Sequence, residues 1–187
     1  MDRIKESIAL CGIKHSGKSS AAAALAKLLQ WDLVDTDDFL MELFAARNGR
    51  TLSVREIYRE LGETRFRLLE AEAIRILPAG HNGGRIVALG GGVLTNPNFT
   101  REDRASLGFL VWLDTPDDTA YERILRTGLP PFLAREADPR AAFGKMNDER
   151  RTVFRKNADL AIRPKPEDTP EEIAQTILST YQKRTGS

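Results

Sequence analysis

Eight residues near the start of the chain, Gly12-Ile13-Lys14-His15-Ser16-Gly17-Lys18-Ser19, restrict its architecture more than any other stretch. They fit G-x-x-x-x-G-K-S/T and stand between an apolar run, SIALCGI, and a helix-favouring one, SAAAALAKLLQ. Such a loop needs a buried strand that ends at it and a helix that begins there. Its glycines let the backbone curl until successive N–H groups point inward at phosphate oxygens, and the helix adds its positive N-terminal end. In that setting Lys18 reaches the β- and γ-phosphates of ATP and the Ser19 hydroxyl binds Mg²⁺. Gly12, Ser16, Gly17 and Ser20 complete the cradle. With glycine at about 7% of average residues, the four matched positions arise by chance in a chain this long about 1% of the time. A glycine turn with a solvated lysine is therefore the weaker reading. Lys14 and His15 fill free positions of the motif and are placed in the nucleotide loop with solvent-facing side chains.

The rest of the chain repeats the alternation of apolar run and helical pattern. Strand candidates after SIALCGI are DLVDTD, RIVALGGG, GFLVWLDT and ADLAIRP, several of them apolar throughout, as strands covered on both faces must be. Helix starts are marked by Ser53 with Glu56, a capping-box spacing, and by Thr115-Pro116, Asp138-Pro139 and Thr169-Pro170. Gly49 and Gly128 mark stops. Phe66, Leu69, Ala73 and Leu77 form the buried stripe of one helix. The predicted architecture is a three-layer α/β/α sandwich around a mainly parallel five-stranded sheet, of the P-loop NTPase type. A chain of 187 residues with 41% hydrophobic composition fits one domain, 1–187, with a short lid around 127–140.

Composition removes several function classes. Lys and Arg total 28 against 27 Asp and Glu, so the net charge of +1 offers no broad footprint for nucleic acid or an anionic membrane. The first apolar run is too short to span a bilayer, and the lone Cys11 excludes an internal disulfide and predicts a buried, inert thiol. A cytoplasmic monomer acting on a small molecule is the expectation. His81, in AGHNGG, is expected to be an exposed turn residue.

Acidic and basic residues near the predicted strand ends suggest the second half of the site. Asp35 and Asp37 close the second strand one residue apart, so both side chains leave it on one face, beside the phosphate loop. There they can support Mg²⁺ or take a proton from a hydroxyl. Helix capping competes for one carboxylate, and Asp38 suits it better. Gly90, Gly91 and Gly92 end a strand, where missing side chains let backbone N–H groups approach a ligand. Arg67 sits between Glu63 and Glu70 at helical spacing, and Arg150 lies in DERRTVFRK. Each is open to a surface reading as well as a ligand one.

Taken in chain order these residues resemble the shikimate kinases over nearly the whole chain. The phosphate loop is followed by D-x-D as Asp35-Thr36-Asp37, by F-R-x-x-E as Phe66-Arg67-Leu68-Leu69-Glu70, by the triple glycine, by ERILRTG entering the lid, and by Glu149-Arg150 with Ala158-Asp159. The resemblance implies an ATP- and Mg²⁺-dependent transfer of phosphate to shikimate. Asp37 then binds the acceptor hydroxyls and acts as base, Asp35 supports Mg²⁺ through water, and Arg67 and Arg150 grip the carboxylate. Arg126 stacks on adenine. A planar guanidinium matches the two oxygens of a carboxylate.

One departure stands out. The family's lid carries an arginine before a Pro-Leu-Leu-like segment, and here the sequence reads RTGLPPFLAR, with Pro130 in that place. Such an arginine is worth about 10³–10⁵ in rate. Three alternatives stay open: Arg135 folds back and replaces it, Lys14 supplies the charge, or the protein acts slowly or on another acceptor. A shikimate-kinase-like enzyme for a different hydroxylated acid, or a catalytically weak ATP-binding regulatory protein, would fit the last case.

Overall fold

A computed structural model describes residues 7–77 and 84–185, with the side chains of 131, 132 and 185 left aside. His81 lies outside the described residues. In chain order the elements are β1 (Ile8–Gly12), α1 (Lys18–Leu29), β2 (Asp32–Asp35), α2 (Thr36–Asn48), α3 (Val54–Arg75), β3 (Arg85–Ala88), α4 (Arg101–Ser106), β4 (Phe109–Leu113), α5 (Asp117–Thr127), α6 (Pro131–Ala134), α7 (Pro139–Asn157), β5 (Leu160–Ile162) and α8 (Pro170–Thr185). The five strands run parallel in the order β2-β3-β1-β4-β5. Their C-terminal ends therefore share one edge, with the phosphate loop leaving the central strand.

Alternation along the strands fills both sides of the sheet. Ile8 and Leu10 of β1, with Ile86, Ala88, Val111 and Leu113, pack under α1 and α8 through Ala22, Leu25, Ala174 and Ile177. Ala9 and Cys11, with Val87, Leu110 and Trp112, meet Ile74, Tyr121, Phe143 and Phe154 of α3, α5 and α7 on the other side. Two faces covered by helices explain why β1 and β4 carry no polar side chain and why β3 is apolar after Arg85. Burial also pushes the Cys11 thiol up to about 12, which leaves it protonated and inert as expected.

Local punctuation held at several ends. Ser53 and Glu56 form the reciprocal capping box, Asp138 accepts from the amides of Arg140 and Ala141, and Thr169 pairs with Glu172. Gly49 and Gly128 end α2 and α5 at φ 69° and 95°. Three other readings are corrected. The second strand stops at Asp35, so Asp37 lies in the first turn of α2 and the two carboxylates do not share a strand face. The cap of α2 is Asp35, which accepts the Asp37 amide at 3.0 Å, and Asp38 is an exposed first-turn residue. Thr115 does not cap α5, because its buried hydroxyl donates to the Ser16 carbonyl at 2.9 Å.

Sequence periodicity did not reveal that α3 is two helices. Gly62 has φ 70° and ψ 171°, a conformation open essentially to glycine, and it breaks the run into an outer and an inner half. A separate small core of Leu40, Phe44, Ile57, Phe66, Leu69 and Ala73 joins α2 to both halves.

Candidate active site

Three structural pieces converge at the C-terminal edge of the sheet. The first is the phosphate loop, in which Gly17 (φ 91°) opens α1 and His15 (φ 61°) turns the chain in the left-handed region. A side chain at Gly12 would collide with Ser16 Oγ at 2.8 Å and the Leu113 carbonyl at 3.0 Å, so the curl needs glycine. Ser16 Oγ is buried and has no hydrogen-bond partner among the described residues. Lys14, His15, Gly17, Lys18, Ser19 and Ser20 line a cavity of about 480 Å³ together with Arg123 and Asp168.

The second piece is acidic. Ser19 Oγ donates to Asp35 Oδ2 at 3.0 Å. Its proton being so engaged, the hydroxyl presents lone pairs outward, toward any cation beside the loop. Burial holds Lys18 below the ordinary lysine range, and the charges of Asp37 and Asp35 draw it part of the way back. Burial first, then repulsion from Asp35, raises Asp37 above the usual carboxylate range, with Lys18 pulling the other way. His15 is lowered by burial and by the positive Lys14, Lys18 and Arg123, which favours the neutral imidazole.

The third piece is the glycine run, and its use differs from the one expected. A methyl group added at Gly90 would stand 2.5 Å from Asp37 Oδ1, one at Gly91 3.6 Å from Arg150 Nη1, and one at Gly92 2.7 Å from Arg67 Nη1. Three charged side chains from three distant elements thus lie directly on this backbone. The Gly90 amide does not face a ligand, since it donates to the buried Thr36 hydroxyl at 2.8 Å. Gly91 and Gly92 line the larger cavity and Gly90 is buried under Asp37.

That larger cavity, of about 1050 Å³, adjoins the nucleotide side through Lys14, His15, Lys18 and Asp37. Arg67 and Arg150 enter it, with Val54, Tyr58 and Phe66 as apolar wall. Arg67 is paired with Glu70 at 3.0 Å, so the helix-pairing reading was partly right, and Glu63 takes no part. The pair is no surface feature, because Glu70 is buried and is also held by Asn96 Nδ2 at 2.9 Å. Arg150 has no carboxylate within ion-pair distance among the described residues, and burial and the neighbouring Arg67 disfavour its charge. Two guanidiniums, one of them unpaired, converging in a half-buried cavity are suited to an incoming carboxylate.

Of the remaining predicted residues, Arg135 lines the larger cavity from the short loop between α5 and α7, whose Leu133 is buried in the main core. Arg126 is exposed at the end of α5 and lines neither cavity. Sequence reasoning missed Arg123, which lines the nucleotide side and donates to the His15 carbonyl at 3.1 Å. Helical phase was the available signal: Arg126 lies two residues, about 200°, past the buried Ile124, whereas Arg123 flanks the buried stripe of Ala120 and Ile124. Asp159 of the late A-D pair is structural, accepting from Arg104 at 2.6 Å and from the Leu110 amide at 2.7 Å.

Comparison with known proteins bears on the whole of this arrangement. A family model described as shikimate kinase matches residues 14–182. The chain is 37% identical over 169 residues to the shikimate kinase of Thermobifida fusca, covering 90% of each, and 32% identical over 173 residues to that of a Nostoc species, covering 90% of this chain and 87% of the relative. Among solved structures it is similar to the shikimate kinase of Acinetobacter baumannii in complex with shikimate, at a TM-score of 0.80 and 25% identity over 97% of this chain and 95% of that one. A gluconokinase from Sinorhizobium meliloti shares the fold at a TM-score of 0.58 and 15% identity over the whole of both chains.

Proposed function

The chain belongs to the shikimate kinase family, and from that premise we propose that it transfers the γ-phosphate of ATP to a hydroxyl of shikimate, giving shikimate 3-phosphate and ADP. The observation that carries this reading is the placement of Asp37 on Gly90, between the loop that bears Lys18 and the arginines Arg67 and Arg150, in one continuous cavity. A carboxylate raised by burial is a better proton acceptor than an ordinary one, and here it stands between the phosphate cradle and the groups that fix the acceptor. Lys18 meets the transferring phosphate, and the loop amides other than that of Ser16, which donates to the Ile13 carbonyl at 3.2 Å, hold the rest of the polyphosphate.

Mg²⁺ fits the residues present. Ser19 Oγ and Asp35 are hard oxygen donors, and among the described residues no cluster of three or more His, Cys, Asp or Glu side chains would hold a metal by itself. A cation that takes one hydroxyl and completes its shell with phosphates and water suits such a site. When bound, it neutralises charge on the transferring phosphate. Arg123, which lines the nucleotide side, is the arginine proposed to meet the nucleotide in place of Arg126. No helix among the described residues is long and apolar enough to cross a membrane, and we place the protein in the cytoplasm as a monomer.

The direct test is ADP release with ATP and Mg²⁺ against a panel of hydroxylated acids and a no-acceptor control. Shikimate is expected to give the highest kcat/KM. A higher value for another acid would move the acceptor assignment, and no acceptor-dependent release at all would favour the regulatory reading.

Two expectations follow for the acceptor side. Arg67→Leu and Arg150→Leu should each raise the acceptor KM about 10- to 150-fold, the equivalent of about 1.5–3 kcal/mol for a charged hydrogen bond, with little change for ATP. Stability should separate them: Arg67→Leu leaves the buried Glu70 without its cation and lowers Tm, whereas Arg150→Leu removes an unpaired buried charge and does not. Normal acceptor KM in both variants would return the arginines to a structural role.

The lid expectation concerns kcat. Arg135 lines the cavity from the short loop between α5 and α7, so Arg135→Ala should lower kcat well over tenfold and leave nucleotide affinity nearly unchanged, the mark of a contact made in the transition state. Lys14→Ala is the companion measurement, because Lys14 lines the same cavity. If kcat changes by less than about tenfold in both, no replacement for the family arginine exists here.

A further inference from the structure

Two consecutive arginines of α7 leave the helix in different directions. Arg150 enters the acceptor cavity over Gly91. Arg151, about 100° further round the helix, is drawn against the turn between β4 and α5 with its side chain 16% exposed. Its Nη1 donates to Asp117 Oδ2 at 2.7 Å and its Nη2 to the Thr115 carbonyl at 3.0 Å, while Nε lies 3.5 Å from Asp114 Oδ1. Asn147, one turn earlier and fully buried, donates to the other oxygen of Asp117 at 2.7 Å.

The clamped turn leads straight to the phosphate loop. Thr115, whose carbonyl Arg151 holds, sends its hydroxyl to the Ser16 carbonyl at 2.9 Å, with both residues buried. Asp117 begins α5, and α5 carries Arg123, which holds the His15 carbonyl. Two successive carbonyls of the loop are therefore held from behind, and both holds trace back to the turn that Arg151 grips. Only a planar fork reaches Asp117 and the Thr115 carbonyl together, which is why an arginine and not a lysine serves here.

We infer that Arg151 is a positioning residue that ties the helix bearing Arg150 to the phosphate loop, so that phosphate on the loop and a ligand on Arg150 each stabilise the other's site. Such coupling is reciprocal and typically about fivefold or more in affinity. It rests on the proposed acceptor site only through Arg150, and the link from loop to α7 can be tested without any acceptor.

Amide hydrogen exchange across residues 145–154 would be followed with and without ADP and Mg²⁺ in the wild type, Arg151→Met and Thr115→Val. ADP is expected to slow exchange in α7 of the wild type by about threefold or more, and to leave α7 unaffected in either variant although ADP still binds. In parallel, the ratio of ADP dissociation constants with and without shikimate should depart from one in the wild type and return toward one in Arg151→Met. Equal protection of α7 in wild type and variants, or none in the wild type, would reduce the network to a brace of the fold and overturn the inference. Should Arg151→Met fail to fold, Thr115→Val removes one buried hydroxyl and decides the matter by the same outcomes. Failure of shikimate to bind would overturn the acceptor assignment alone, since the exchange measurement uses only ADP.

Discussion

Replacing Asp37 by asparagine will lower kcat by about 10²–10⁴, the usual contribution of a positioned base, and will raise Tm at neutral pH. Both effects come from one environment. Burial and the charge of Asp35 raise the Asp37 carboxyl above its unfolded value, and Lys18 offsets this only in part. The folded state then holds the extra proton between the two pKa values, so stability falls as pH rises through that window and stays lower at every higher pH. Asparagine has no charge to bury and removes the penalty. In the wild type the same shift places the acid limb of kcat/KM above the ordinary carboxylate range, with activity lost as pH falls through it. ADP release and thermal melting on the same preparations decide the point: a variant that melts lower, or turns over normally, contradicts the assignment of Asp37 as base.

Lys18→Ala is the second large effect, with kcat lowered by about 10²–10³ or more, as for removal of a preorganised charge at a transferring group. Tm should hold or rise. Burial is the largest influence on this lysine and lowers its pKa in the folded state, so folding releases a proton between the folded and unfolded values and stability climbs with pH across that window. At neutral pH the buried ammonium is a burden on the fold, relieved by Asp37 and Asp35. Activity retained in a folded Lys18→Ala protein would remove the phosphate loop from the mechanism.

What could be read from the residues alone was what is decided locally. The phosphate loop, the capping box at Ser53, the caps at Asp138 and Thr169 and the apolar strands each follow from a few consecutive positions, and each stands where expected. Most of the errors concern partners far apart in the chain. Asp35 outcompetes Asp38 as cap because Ser19, sixteen residues away, fixes its carboxylate. Thr115 abandons α5 for a carbonyl 99 residues earlier. The glycine run serves side chains from α2, α3 and α7, and nothing near residues 90–92 indicates that. Arg123 in place of Arg126 was a matter of helix phase, and was within reach.

The break at Gly62 carries a further consequence. Residues 50–61 stand between Gly49 and Gly62, two glycines of positive φ, and Arg50 and Glu60 close the segment on itself as an ion pair. This stretch gives Val54, Arg55, Tyr58 and Arg59 to the cavity wall, while Lys18, Asp37, Arg67 and Arg150 all belong to other parts of the chain. One wall of the acceptor cavity is consequently written apart from the residues proposed to grip the carboxylate and to transfer the phosphate. An exchange of this dozen residues between relatives is a route to retargeting the enzyme, one that leaves the machinery of transfer untranslated and intact.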